Sequence, residues 1–138
     1  MTKTAADIMT PSPRTIASSA TVGEAAQVMR DEDVGSLPVV HQDRLVGVVT
    51  DRDIAVRVVA EGRDAATTAV VEVASDRPVT VEPSADLDQA LQLMSEHQVR
   101  RLPVVDGDRL VGVIAQADIA RLGKDKQTGD LVQGVSQP

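Results

Sequence analysis

The stretch GVVTDRDI, residues 47–54, returns as GVIAQADI at residues 112–119. The glycine, the two apolar residues after it, the aspartate and the isoleucine keep their places, while Thr50 is answered by Ala115. Outward from this pair the whole chain lies on itself at an offset of 65 residues, without a gap. Between Asp7–Arg57 and Glu72–Leu122, 21 of 51 positions are identical. SLPVVHQDRLVGVV (36–49) faces RLPVVDGDRLVGVI (101–114), and TVGEAAQVM (21–29) faces DLDQALQLM (86–94). Repetition at this level means one supersecondary unit written twice.

Each copy reads in the same order. A short extended piece, Thr15–Ala17 or Val79–Val81, comes first. A helix follows, its start marked by the capping-box spacing of Thr21 with Glu24 and of Asp86 with Gln89. Val22, Ala25, Ala26 and Met29 fall at i, i+3, i+4 and i+7, and Leu87, Ala90, Leu91 and Met94 repeat that face. Two strands rich in β-branched residues then flank a tight turn: Leu37–Val40 with Leu45–Val49, and Leu102–Val105 with Leu110–Ile114. The Asp-Gly of DGDR (106–109) is a strong hairpin signal, and HQDR (41–44) a weaker one. A closing helix begins near Asp51 and again near Gln116. The expected class is α/β (α+β): two β-α-β-β-α units that bury their sheets by packing together. The expected domains are 1–64 with an N-terminal lead-in, 65–122, and a loose tail over 123–138. The link 61–73 holds a short helix equivalent to AADIM (5–9).

Composition narrows the chemistry. The 138 residues have no Phe, Tyr, Trp or Cys, so the core is aliphatic and a base would bind without aromatic stacking. A net charge of -7 argues against nucleic acid as partner. Without cysteine there is no disulfide, thiolate zinc site or cysteine nucleophile. His41 and His97 are too few for a usual zinc site. No apolar run reaches the roughly 20 residues of a membrane span, and MTKTAADIMT (1–10) has no leader-like apolar region. The expected location is cytoplasmic.

TDRD (50–53) supports two readings. Thr50 and Asp53 suit a capped helix start, the hydroxyl accepting a backbone N–H and the carboxylate sitting in the positive first turn. The same place suits a nucleotide: helix N–H groups and a hydroxyl for phosphate, and an aspartate for two ribose hydroxyls. As a lone tetrapeptide it does not choose between them.

The doubled unit, with LPVV, a turn, an apolar strand around glycine and then Thr-x-x-Asp, resembles a pair of CBS domains, the Bateman module. The likeness runs from about Ala5 to Leu122. MRDEDVGSLPVV (29–40) with TDRDIAVRVVAEG (50–62) is similar to small bacterial CBS pairs of the actinobacterial hypoxic-response type. The resemblance implies pseudo-two-fold halves with two clefts between them, a homodimer, and AMP, ADP, ATP or S-adenosylmethionine as ligand rather than an obligatory cofactor. It implies one cleft with Thr50 and Asp53 on ribose and phosphate, Val48 near the base, and Val79, Val99 and Arg100 from the opposite repeat. The other has Asp118, Val113 near the base, and Val34 and Gly35 from the first repeat. Ala115 departs from the pattern there, and the cations of Arg100 and Arg101 offset the missing hydroxyl.

The function expected is therefore regulatory ligand sensing, with a protein target not named by the sequence. A ligand-free dimeric stress-response adaptor is the alternative. Catalysis is not expected, because no nucleophile–base pair is apparent: His97 reads as a helix-end residue, and Asp51 and Asp53 diverge too far for magnesium on their own. Met29 and Met94 read as core.

Overall fold

The computed structural model describes residues 3–76 and 78–120. It is a mixed α+β protein made of two compact units, one from the described residues of 14–78, the other from those of 1–13 with 79–120. The units are not cut at the 64/65 boundary expected of the repeats. Each takes its lead-in segment from the other half of the sequence.

In the unit of residues 14–78, β2 (Ile16–Ala17) runs parallel to β3 (Ser36–His41), which pairs antiparallel with β4 (Arg44–Thr50). The helix α2 (Val22–Glu32) lies between β2 and β3 in sequence, and α3 (Asp51–Ile54) continues into a π turn, Ala55–Val59. A 3₁₀ turn, Val70–Glu72, comes from the lead-in of the second repeat. Its Val70 and Val73 are fully buried with Val22, Ala25, Leu37, Val39, Val49 and Val58.

The other unit repeats the plan. Val81 bridges Val104 in parallel, β5 (Arg101–Asp106) pairs antiparallel with β6 (Arg109–Ala115), and α4 (Leu87–His97) precedes them. Residues 116–120 are helical. Here the lead-in is α1 (Ala5–Ile8) and β1 (Thr10–Pro11), with Thr10 paired to Val113 and Pro11 to Gly112. The matching contact in the first unit is Ser75 bridged to Val48, each donating its N–H to the other's carbonyl.

The lead-in crossing explains the glycine of each VGV strand. A β-carbon on Gly47 would collide with the Ser75 carbonyl, and one on Gly112 with the Met9 side chain and, at 3.0 Å, the Thr10 carbonyl. Close backbone approach is the reason for glycine inside a strand. The crossing also corrects the expected capping boxes. Thr21 Oγ1 does accept the Glu24 N–H at 3.1 Å, but Asp86 makes no side-chain cap. The first N–H groups of both helices go to backbone carbonyls: Leu87 N–H donates to Lys3, as Val22 donates to Thr68 and Gly23 to Ala65. A further correction falls on Ala26, which is exposed because Val22, Ala25 and Met29 suffice to face the sheet.

Other features recur at the 65-residue offset. Both hairpins shift register at one place, between Val39 and Val40 and between Val104 and Val105. The weak turn closes as tightly as the strong one, with Gln42 and Asp43 both at positive φ. Helices α2 and α4 stop at left-handed Asp33 and Gln98, and the next residues, Val34 and Val99, donate back to Met29 and Met94. That is the bonding of a Schellman stop without glycine. The expected loose tail, 123–138, lies outside the described residues.

Gly47→Ala is expected to cost about 1–3 kcal/mol by overpacking. Gly112→Ala should cost less, since the Met9 side chain yields more readily than the Ser75 backbone. Urea unfolding of both variants checks the order.

Candidate ligand-binding site

Strand β4 ends at Thr50, and the chain turns directly into α3. The turn is held by a complete capping box: the Asp53 N–H donates to Thr50 Oγ1 at 3.0 Å, and the Thr50 N–H donates to Asp53 Oδ2 at 2.9 Å. Thr50, Asp53 and Val48 are all half-buried at this end of the sheet. Val34 and Gly35 belong to the same place. Gly35 accepts the Asp51 N–H at 2.9 Å, and a β-carbon on it would press the Asp51 carboxylate at 3.1 Å. Asp51 is thus a neighbour of the site that sequence reading weighed only for magnesium.

The second copy keeps half of this arrangement. With Ala115 in place of threonine there is no hydroxyl, yet the Ala115 N–H still donates to Asp118 Oδ2 at 3.0 Å. That bond needs no side chain at 115, which is why the aspartates stay in register while the hydroxyl is lost. The lead-in turns follow the same rule. The Thr4 N–H donates to Asp7 Oδ2 at 2.8 Å, and the Ala69 N–H to Glu72 Oε2 at 3.1 Å. These four turns share the carboxylate, and in each pair the first repeat has threonine where the second has alanine.

Glu72 also pairs with Arg63 at 2.6 Å. The Arg63 hydrogen bond, followed by that from the Ala69 backbone, holds its carboxyl below the usual carboxylate range.

Arg100 and Arg101 are exposed at the Asp118 end of β6, where Arg100 accepts the Gln116 N–H at 3.0 Å and Arg101 pairs with Ala115. Val113 is buried opposite Pro103, and Val79 and Val99 pack half-buried against the core of Leu102, Val104 and Ile114. One unit therefore gathers Val34, Gly35, Val48, Thr50 and Asp53, and the other Val79, Val99, Arg100, Arg101, Val113 and Asp118. The expected groupings of each aspartate with residues of the opposite repeat join different units.

This doubled sheet-and-cap plan has a known counterpart. The CBS-domain family model matches residues 5–60 and 70–125, so the chain belongs to the CBS-domain family and is a CBS pair, a regulatory module. Among curated proteins it is 47% identical to CBS domain-containing protein YhcV of Bacillus subtilis over 114 residues, 83% of this chain and 81% of the relative. It is 40% identical to Hypoxic response protein 1 of Mycobacterium tuberculosis over 136 residues, 98% of this chain and 95% of the relative. Among solved structures, Hypoxic Response Protein I with two coordinated zinc ions superposes with a TM-score of 0.80 at 43% identity, over 87% of this chain and 98% of the other. CBSX2 in complex with AMP gives 0.79 at 27% identity, over 90% and 98%. The CBS domain pair of MJ0100 in complex with 5'-methylthioadenosine and S-adenosyl-L-methionine gives 0.77 at 28% identity, over 91% and 99%.

The chain has no cysteine, its two histidines stand at the β3 end in one unit and the α4 end in the other, and no three His, Asp or Glu side chains gather among the described residues. Nor is any helix among them long and apolar enough to cross a membrane.

Thr50→Ala should cost about 1 kcal/mol of stability, the usual loss of an N-cap hydroxyl. Asp118→Ala should also destabilise, although residue 115 has no hydroxyl. Thermal melts of the two variants compare what the carboxylate and the hydroxyl contribute to the two turns.

Proposed function

We propose that the chain is a regulatory module that binds an adenosine-containing ligand: AMP, ADP, ATP or S-adenosylmethionine. In this reading Asp53 accepts from the ribose hydroxyls, Thr50 Oγ1 faces ribose or phosphate, and Val48 lies against the base, with Val79, Val99 and Arg100 contributed by the second repeat. Asp118, Val113, Val34 and Gly35 form a second, weaker place, where Arg100 and Arg101 answer for the absent hydroxyl. The observation that carries the reading is the half-buried Thr50–Asp53 turn in a chain of this family. Solved relatives of the same fold hold AMP in one case, and 5'-methylthioadenosine with S-adenosylmethionine in another.

The module acts without catalysis, as a cytoplasmic homodimer under stress, and passes its signal to a protein target rather than to nucleic acid. A ligand shifts its shape only through different affinities for the two states. A second reading, the ligand-free adaptor, is favoured by one fact: Asp53 Oδ2 and Asp118 Oδ2 already accept backbone N–H groups.

Isothermal titration with AMP, ATP and S-adenosylmethionine separates the two. The ligand reading expects saturable binding that weakens about tenfold or more, 1.4 kcal/mol, in Asp53→Ala. It expects a smaller effect in Asp118→Ala. Binding unchanged in a folded Asp53→Ala variant would overturn the assignment of the site.

A further inference from the structure

The chain has no asparagine, and Asp106–Gly107 is its one Asp-Gly step; every other aspartate is followed by a residue with a side chain. Asparagine and cysteine are among the residues that fail first when a protein ages or is heated. With both missing, the Asp-Gly step is where the backbone is most open to chemistry.

The second hairpin presents that step to water. Asp106 closes the turn between β5 and β6 opposite Arg109, with Gly107 and Asp108 as the two loop residues. Asp106 and Gly107 are both exposed. Among the described residues the Asp106 carboxylate and the Gly107 N–H make no hydrogen bond. Gly107 turns at a φ of +70°, and a β-carbon built on it would meet nothing within 4 Å. Lacking that carbon, its nitrogen approaches the neighbouring side chain unhindered. The first hairpin has His41–Gln42 at this place, and histidine has no carboxyl to react.

We propose that Asp106–Gly107 is a self-modification site, at which aspartate converts to isoaspartate and the closing pair of the second hairpin is lost. The Gly107 nitrogen attacks Asp106 Cγ. An N–Cγ bond forms, the Cγ–hydroxyl bond breaks, and the hydroxyl leaves with the N–H proton as water. Water then opens the resulting succinimide. Cleavage of the Cγ–N bond returns aspartate, and cleavage at the α-carbonyl leaves the main chain running through Cγ. The backbone gains one methylene, directly after Val105, which is buried and donates its N–H to Val81 at 2.9 Å. Asp106 can then no longer face Arg109 in register. The change is confined to the second repeat and does not depend on ligand.

Incubating the full chain at neutral pH in heavy-oxygen water, followed by digestion and mass spectrometry, tests this. Each ring opening leaves one heavy oxygen on residue 106. The label is expected in the peptide that spans Asp106 and Gly107, together with isoaspartate detected by an isoaspartate-specific carboxyl methyltransferase. Asp106→Glu should take up none, because glutamate would need a larger ring. Asp106→Asn should convert faster, releasing ammonia instead of water. The aged protein should unfold at a lower urea concentration than fresh protein, a shift that Asp106→Glu does not show. Label absent from the folded chain but present in urea would mean that the hairpin holds the reacting atoms apart, and would overturn the proposal. Label spread evenly over the aspartates would overturn it as well. Conversion with an unchanged urea midpoint would overturn the loss of the closing pair.

Discussion

The fold depends on a backbone passing over a glycine, twice. At Gly47 the chain near Ser75 runs so close to β4 that no β-carbon fits, and at Gly112 the Met9 side chain and the Thr10 carbonyl crowd β6. From this contact follow the bridges that extend each sheet, the burial of Ala5 and of Val70, and the caps of α2 and α4. Those helices begin under carbonyls of Thr68 and Lys3, which satisfy the N–H groups of Val22 and Leu87 that would otherwise be orphaned. Because each lead-in belongs to the opposite repeat, neither repeat completes its own core. A repeat that cannot bury its face alone is the ordinary logic of internally duplicated folds.

Within that frame the aspartates have a structural duty before any ligand arrives. Asp53 and Asp118 close the strand-to-helix turn by accepting the N–H of residue 50 or 115. Asp7 and Glu72 do the same on the lead-ins. In the proposed reading a ribose at Asp53 meets a carboxylate already oriented, which is the condition for binding at low ordering cost. The first repeat also has the Thr50 hydroxyl, while the second has alanine there and Arg100 and Arg101 on the neighbouring strand end. The two places differ in chemistry although their backbones match.

The sequence announced the repeat, the strands and the hairpins because those features are local or periodic. LPVV and the VGV strands read correctly, and the 65-residue offset paired α2 with α4 and one hairpin with the other. What it hid was set by tertiary contact. The capping-box spacing at Asp86 and Gln89 promised a side-chain cap that Asp86 does not make, and the Leu87 N–H beside it goes to the Lys3 carbonyl, distant in sequence. Asp33 and Gln98 stop their helices without the glycine that would have marked the stop. At the site, Thr50 and Asp53 were legible as a pair, but their geometry fits a cap and a ligand site equally, so spacing alone did not decide. Asp51 became visible only through its contact with Gly35.

A chain without Trp, Tyr, Phe or cystine is nearly transparent near 260 nm, so bound adenosine can be counted by absorbance alone. The most direct measurement is ultrafiltration of the purified protein with AMP, 5'-methylthioadenosine or S-adenosylmethionine, reading the absorbance held back with the protein. The account predicts saturable retention approaching one adenosine per chain at the Thr50–Asp53 place, and loss of that retention in Asp53→Ala. If wild type retains none of the three at millimolar concentration, the carboxylates are caps only and the ligand-sensing account is contradicted.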